Sequence, residues 1–250
     1  MHNIGKLFLS TLLSFCVLFS TAQVKKTVVK RTAATTKPKP IAKAIPKPPV
    51  TILPAKPIGV RVKITTDMGE IIVRLYDKTP MHSDNFVKLV NDHFYDSLLF
   101  HRVIAGFMIQ GGDPESKHAI PNVMLGRGDV GYTIPAEFDS TLYHKKGALA
   151  AARTNNAQKA SSGCQFYIVQ GKKYSDEELD MITLETGVYF SPARRMTYKM
   201  LGGTPKLDMD YTVFGEVESG IEVVEQIAQV QKNGANRPLK DVMMRMEVVK

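Results

Sequence analysis

An arginine and a glutamine stand inside the apolar stretch FHRVIAGFMIQGGD, which runs from Phe100 to Asp113. The stretch is predicted to form buried strand, where an unpaired charge costs several kcal/mol. We therefore expect Arg102 to line a cleft, where its planar guanidinium donates hydrogen bonds and is a poor base. Because strand side chains alternate between faces, Met108 and Gln110 share one face and Gln110 is predicted to orient Arg102. The alternative left open is a solvated Arg102 above a core that contains Phe107 and Met108.

Eight segments with strand patterns surround this stretch: VRVKITT, EIIVRLY, LLFHRVI, FMIQGG, GALAAA, CQFYIVQ, YTVFGEV and MMRMEVVK. Two amphipathic helices accompany them. Thr79 is predicted to cap the first, which has Phe86, Leu89 and Val90 on one face, and GIEVVEQIAQV forms the second. The strands and helices do not alternate in a βαβ rhythm. The pattern therefore predicts an all-β fold, a closed antiparallel barrel with helices over its ends.

One segment, residues 175–203, does not fit this scheme. Ser175 precedes an acidic turn that is typical of a helix start, and Gly187 is a plausible helix end. Ser191, followed by proline, begins a second predicted helix that Gly202 ends. We interpret the segment as a helical hairpin inserted into a barrel loop. A lid, a docking surface and a surface decoration without consequence all remain open as its role.

The first 22 residues have the three parts of a secretory signal: a basic start, a short apolar run and small residues before Gln23. An uncleaved membrane anchor is the alternative, and a lipoprotein at Cys16 receives little weight. Residues 23–58 are rich in lysine and proline, which predicts a disordered, extended linker before a domain at 59–250. We therefore expect an exported protein, periplasmic or extracellular, with envelope association left open and no stable membrane insertion after signal cleavage.

The positive charge of the chain is concentrated in its first 60 residues, which hold ten Lys or Arg and no acidic residue. The remainder holds 23 basic and 24 acidic residues, so a nucleic-acid partner is not expected. Cys164 would be the single cysteine after signal removal, which excludes an intrachain disulfide. The five histidines of the chain without its signal also lack the spacing of metal ligands, and we expect neither a metal nor a cofactor.

The segment FYDSLLFHRVIAGFMIQGGDP resembles the signature of the cyclophilin-type peptidyl-prolyl isomerases. GALAAARTNN, SSGCQFYIVQ and LDMDYTVFGEV continue the resemblance in the order found in that family. The resemblance covers about residues 60–250 and implies a closed eight-stranded antiparallel barrel with two capping helices. It also implies an isomerase, expected to be a monomer, that acts on proline-containing segments of unfolded or folding proteins.

Site residues follow from the same resemblance. Arg102 matches the catalytic arginine, with Gln110 beside it. The matching substrate-binding residues are Phe107 and Met108 at the floor of the proline pocket, Ala152 and Arg153 on a strand that pairs with the substrate backbone, Gln165 and Tyr167 on the next strand, and Leu207 and Tyr211 at the far wall.

Three positions depart from the family pattern. Tyr211 stands where many members have histidine, although an aromatic wall is retained. Ala151 replaces a common methionine. Lys206 stands where well-known members have a tryptophan that contacts cyclosporin, so low cyclosporin affinity is expected. The residues at Ala151 and Lys206, with the insertion, leave open a non-catalytic module that binds proline-containing peptides. A further alternative is an envelope-tethered scaffold with a cyclophilin fold, in which the basic, proline-rich tail is the main working part.

Overall fold

The computed structural model describes residues 59–121 and 123–249, so the predicted signal at 1–22 and the linker at 23–58 lie outside the described residues. Within the described ranges, no helix is long and apolar enough to cross a membrane. The strands are β1 Arg61–Thr66, β2 Gly69–Leu75, β3 Leu98–Leu99, β4 Arg102–Ile104, β5 Met108–Gly111, β6 Thr133–Ile134, β7 Ala148–Ala151, β8 Ser161–Ser162, β9 Phe166–Val169, β10 Val213–Ser219 and β11 Met243–Val249. The α-helices are α1 Pro80–Asn91, α2 Asp176–Thr186, α3 Pro192–Met200 and α4 Ile221–Ala228.

Nine of these strands form one curled antiparallel sheet, in the order β3-β11-β1-β2-β10-β7-β9-β5-β4. The first and last strands in that order, β3 and β4, are separated along the chain only by Phe100 and His101. They are two parts of the predicted strand LLFHRVI, one paired with β11 and the other with β5. The sheet therefore closes on itself through this segment and contains all eight predicted strands, whereas β6 and β8, which were not predicted, pair with each other in a separate sheet.

The core lies between the curled sheet and the two helices that cover it. Phe86, Leu89 and Val90 of α1 are buried together, as the sequence pattern predicts, and Val224 and Ile227 do the same from α4. Apolar side chains at three- and four-residue spacing give each helix one face that can be removed from water. The rings of Phe86, Tyr95, Phe166 and Phe214 form the aromatic centre of this core, with centroid separations of 5.2–5.6 Å.

The N-terminus of α1 differs from the sequence prediction. Thr79 occupies the cap position, but its side chain makes no capping hydrogen bond. Instead the carboxylate of Glu137 accepts hydrogen bonds from the backbone N–H of Met81 at 3.1 Å and of His82 at 2.9 Å. A carboxylate suits this position because the first N–H groups of a helix are unpaired and carry partial positive charge. The predicted capping role of Thr79 is therefore wrong, and Glu137 takes it from 55 residues away.

The predicted helical hairpin is present as α2 and α3. Ser175 and Glu178 form a reciprocal capping box at the start of α2, and Gly187 ends it in the left-handed conformation, with φ of 72°. Ser191 accepts a hydrogen bond from the N–H of Arg194 at the start of α3. The hairpin has a small core of its own, formed by Leu179, Ile182, Phe190 and Tyr198.

Candidate active site

Arg102 lies on β4 directly opposite Gln110 on β5 in the antiparallel pairing. One guanidinium nitrogen, Nη1, donates a hydrogen bond of 3.1 Å to Oε1 of Gln110. The predicted contact between these two side chains is therefore present. The neighbouring Val103 and Ile109 alternate to the opposite face, where both are buried in the core. The strand pair thus turns Arg102, Gln110 and the apolar Met108 to one face of the sheet, and Val103 and Ile109 to the other.

The Gln110 amide is held in turn by a second glutamine. Its Nε2 donates to Oε1 of Gln165 at 3.0 Å. The Nε2 of Gln165 donates to the backbone oxygen of Gly128 at 2.7 Å and to that of Gly126 at 3.3 Å. Because each amide donates and accepts at once, both amide orientations follow from this network. The chain of hydrogen bonds fixes one edge of the Arg102 guanidinium and leaves its other N–H groups toward the cleft.

Arg102 carries its charge without a carboxylate partner among residues 59–121 and 123–249. Its side chain is half-buried, and this burial lowers the pKa of the guanidinium, an effect that nearby Tyr211 opposes. Arginine remains protonated in proteins even with a lowered pKa. An unpaired, partly desolvated cation interacts more strongly with a polar ligand than a solvated one does, because the local dielectric constant is lower.

A cavity of about 110 Å³ opens beside Arg102. Cavities for drug-sized ligands are typically 300–1,000 Å³, so this one matches a single small side chain or ring. Met108 and Tyr167, which are 1% and 4% exposed, form apolar surface from adjacent strands. The full set of lining residues is Arg102, Phe107, Met108, Gln110, Ala152, Arg153, Tyr167, Leu207 and Tyr211.

Gln165 is the one predicted site residue that does not line this small cavity. It lines an adjoining cavity of about 260 Å³, which shares Gln110, Ala152 and Arg153 with the first. The structure therefore brings all ten predicted site residues together around two adjoining cavities. It places Gln165 behind Gln110, where it orients the other amide, a relation that strand periodicity alone does not reveal.

The two residues predicted to pair with a substrate backbone follow directly after β7. The N–H of Ala152 donates to the Gln165 oxygen at 2.9 Å, and its carbonyl accepts from the N–H of Ser162 at 2.8 Å. Both backbone groups of Ala152 are thus engaged within the protein. Arg153 is the better placed of the two to offer backbone groups, since no described residue hydrogen-bonds to its main chain.

Two tyrosines line the small cavity beside Leu207. The rings of Tyr167 and Tyr211 meet edge to face, with centroids 5.9 Å apart. The guanidinium of Arg153 lies 4.6 Å above the centroid of Tyr211, and it also pairs with Asp210 at 2.9 Å. The hydroxyl of Tyr167 contacts Nε2 of a buried histidine, His144, at 2.9 Å. No periodic pattern pointed to His144, which precedes β7 by a few residues.

A Ser–His–Glu arrangement elsewhere in the fold has the connectivity of a hydrolase triad. His82 Nε2 lies 3.0 Å from Ser161 Oγ, and His82 Nδ1 lies 2.7 Å from Glu137 Oε2. Ser161 is only 1% exposed, so a substrate carbonyl has no path to its oxygen. Burial raises the pKa of the Cys164 thiol to about 11, which keeps that side chain protonated and unreactive. Neither group is suited to nucleophilic catalysis.

The described parts of the chain also contain no cluster of three His, Cys, Asp or Glu side chains that could hold a metal ion. The chemistry available at the two cavities is therefore that of a fixed cation, amide dipoles and an apolar wall.

Comparison with known proteins places this geometry in a family. The sequence model described as "Cyclophilin type peptidyl-prolyl cis-trans isomerase/CLD" matches residues 61–248. A protein of Staphylococcus haemolyticus that carries the name of a peptidyl-prolyl cis-trans isomerase is 33% identical over 186 residues, which cover 74% of this chain and 88% of that protein. A relative from Streptococcus pyogenes serotype M6, named as a bifunctional phosphatase and peptidyl-prolyl cis-trans isomerase, is 37% identical over 191 residues; these span 74% of this chain but only 38% of the relative.

Solved structures give the same fold. A crystal structure of a Cryptosporidium parvum cyclophilin-type isomerase aligns with a TM-score of 0.56 at 20% identity, covering 76% of this chain and 98% of that one. The same parasite protein, crystallised in the presence of the dipeptide Ala-Pro, aligns with a TM-score of 0.55. The predicted fold class is confirmed, and the chain belongs to the cyclophilin-type peptidyl-prolyl cis-trans isomerase family.

Proposed function

We propose that this cyclophilin accelerates rotation about X-Pro peptide bonds, with Arg102 as the group that stabilises the twisted state. Uncatalysed rotation faces a barrier of about 18–20 kcal/mol, which arises from amide resonance. X-Pro bonds consequently isomerise in tens to hundreds of seconds. The reaction breaks no covalent bond, so a nucleophile, a metal or a redox group has no role in it.

The catalytic effect would come from the change in the proline nitrogen during rotation. While the peptide is planar, the nitrogen lone pair is delocalised and accepts hydrogen bonds poorly. When the bond twists, the lone pair localises and becomes an acceptor. A donor placed at that nitrogen binds the twisted state better than the planar one, which is the condition for catalysis. Arg102 can be that donor, because Gln110 holds one of its nitrogens and leaves others free.

The small cavity supplies the second requirement, a fixed proline ring. Its volume of about 110 Å³ and its apolar surface from Phe107, Met108 and Leu207 suit a pyrrolidine ring. Arg153 would align the peptide backbone, so that the residue before proline is the part that rotates. The observation that carries the proposal is the position of an unpaired guanidinium, oriented by Gln110, at the rim of this cavity.

Replacement of Arg102 by alanine in the full chain tests the proposal. One preorganised donor is typically worth about 2.7–4 kcal/mol, so kcat/KM for a short X-Pro peptide should fall about 10²–10³-fold. Arg245→Ala, at an exposed position on β11, is the matched control and should keep wild-type activity. Full activity of a folded Arg102→Ala variant would remove the guanidinium from the mechanism.

We further propose that the substrates are exported proteins, met in the periplasm or outside the cell. The proposal is supported by the composition of residues 1–22 and by the concentration of ten basic residues in the first 60. A mature N-terminus near Gln23, read by mass spectrometry of protein from an envelope or secreted fraction, is the expected result. An intact Met1 on cytoplasmic protein would contradict it.

A further inference from the structure

The helical hairpin and the small cavity are joined by buried hydrogen bonds that centre on Asp208. This carboxylate is 3% exposed. Its Oδ1 accepts from the backbone N–H of His144 at 2.8 Å and contacts Nδ1 of the same residue at 2.9 Å. Its Oδ2 accepts from the hydroxyl of Tyr198, on α3, at 2.7 Å, and the guanidinium of Arg194 lies 3.7 Å away. A buried carboxylate is stable only while such donors surround it.

The same series of hydrogen bonds continues from Asp208 to the cavity wall, and its donors and acceptors can be assigned. A carboxylate only accepts, so Nδ1 of His144 bears the proton that faces Asp208. In a neutral ring, Nε2 is then an acceptor, and it faces the hydroxyl of Tyr167 at 2.9 Å. The imidazole also stacks on the Tyr167 ring, with an angle of 13° between their planes. The sequence of contacts Tyr198–Asp208–His144–Tyr167 thus runs from the hairpin to a residue that lines the cavity.

Asp208 also fixes the opposite part of the wall through the main chain. It directly follows Leu207, whose carbonyl accepts from the N–H of Tyr211 at 3.2 Å. The N–H of Thr204 donates to the carbonyl of His144 at 2.8 Å, which attaches the same loop to the segment that precedes β7. A shift of the Asp208 side chain would therefore move both Leu207 and Tyr211, which line the cavity beside Arg102.

At the hairpin, this series of contacts begins in a closely packed aromatic cluster. Tyr198 is fully buried, and its ring packs at 5.6–6.3 Å centroid distance against Tyr143, Tyr174 and Phe190. The hydroxyl that Asp208 requires is therefore held by the packing of the hairpin core. Lys206 adds an exposed contact in the same direction, 2.6 Å from Glu185 on α2.

We propose that the hairpin is a positioning element of the active site, and that Tyr198, Asp208 and His144 are positioning residues for the wall formed by Tyr167, Leu207 and Tyr211. The inference rests on the proposed function, because the wall matters only if the cavity holds a proline ring. It assigns the hairpin neither the role of a lid nor that of a surface decoration. Loss of the Tyr198 hydroxyl should loosen substrate binding more than it slows the bound substrate.

Tyr198→Phe in the full chain tests this, because it removes one hydroxyl and keeps the ring. Tyr143→Phe is the matched control: its hydroxyl contacts Thr197 at 3.1 Å within the same cluster, but not Asp208. KM and kcat are measured for an X-Pro peptide, and Kd for an Ala-Pro peptide by NMR titration. We expect Tyr198→Phe to raise KM and Kd at least threefold with a smaller change in kcat, whereas Tyr143→Phe stays within twofold. Equal effects of the two variants, or no effect of either, would overturn the proposal.

A double-mutant cycle with Tyr167→Phe gives a second, independent readout. If the two hydroxyls act through one chain of contacts, Tyr198→Phe should change Kd less in the Tyr167→Phe background than in the wild type. Additive effects of the two substitutions on Kd would show that the two hydroxyls do not act through one series of contacts. Peptide binding without turnover by the wild-type protein would defeat the proposed function alone, since the Kd comparison still decides the role of the hairpin. A wild-type protein that neither binds the peptide nor isomerises it would overturn both the proposed function and the proposed role of the hairpin.

Discussion

Arg102 and Gln110 are direct cross-strand partners on β4 and β5, and the 3.1 Å hydrogen bond between them is the contact that orients the guanidinium. The orientation does not depend on Gln110 alone. Gln165 holds the Gln110 amide and is itself held by two backbone carbonyls, so three side chains share one hydrogen-bonded arrangement. Positioning of the donor therefore depends on a residue that lies outside the proline-sized cavity.

We predict that Gln165→Leu lowers kcat/KM about tenfold, because loss of a hydrogen bond worth roughly 1–1.5 kcal/mol frees the Gln110 amide to rotate away from Arg102. The measurement is isomerisation of a short X-Pro peptide. In a Gln110→Leu background the same substitution should have little further effect, since the two amides act through one guanidinium. Fully additive losses would contradict this relation.

The stability of the protein should fall in mild acid because of His101, which is 3% exposed. Burial lowers the pKa of this imidazole to about 4; nearby Asp113 opposes the shift and Arg102 adds to it. The unfolded chain binds a proton near pH 6.5, whereas the folded protein does not until about pH 4. His101 alone should therefore lower the free energy of unfolding by about 3 kcal/mol as the pH falls through that window, and its contribution should be constant above it.

Chemical denaturation between pH 4 and 7.5 measures this effect. His101→Gln cannot titrate, so its stability should depend less steeply on pH than that of the wild type. His93→Asn, at an exposed position, should retain the wild-type slope. Some slope should persist in the His101 variant, because burial also lowers the pKa of His82. Parallel curves for the wild type and His101→Gln would rule out His101 as the cause.

Glu137, which is largely buried, should contribute more to stability than exposed carboxylates do. Glu137→Ala leaves two N–H groups of α1 and the ring of His82 without their acceptor. Lost helix caps and buried unpaired donors each cost about 1–3 kcal/mol, so the free energy of unfolding should fall by at least about 1 kcal/mol. Glu70→Ala, which removes an exposed partner of Lys63, should change it by less than about 0.5 kcal/mol. Equal losses in urea denaturation would argue against the capping role.

The parts of the fold that were predictable from sequence are those that short-range patterns determine. Alternating residues predicted the strand that contains Met108 and Gln110, and Ser175 with Gly187 marked both ends of α2, because caps and turns act within a few residues. The gathering of Arg102, Phe107, Tyr167 and their neighbours required the family resemblance in addition.

What escaped prediction depends on long separations. Glu137 replaces Thr79 as the helix cap from a distant loop, and no local pattern distinguishes a threonine that caps from one that does not. Likewise, Asp208 meets the ring of His144 across 64 residues, only because the chain around Leu207 folds back onto the segment before β7. Polar side chains that satisfy one another across 50 or more residues leave no periodic trace in the sequence.

The outermost strands of the sheet, Leu98–Leu99 and Arg102–Ile104, are two and three residues long. Exposed strand edges act as templates on which unfolded chains add further strands and aggregate. A protein that binds extended, proline-containing peptides meets that hazard at every encounter. Because this sheet closes through two such short strands, it leaves little free edge for a bound peptide to join, so the peptide would be held mainly at its proline and would separate without seeding further strands.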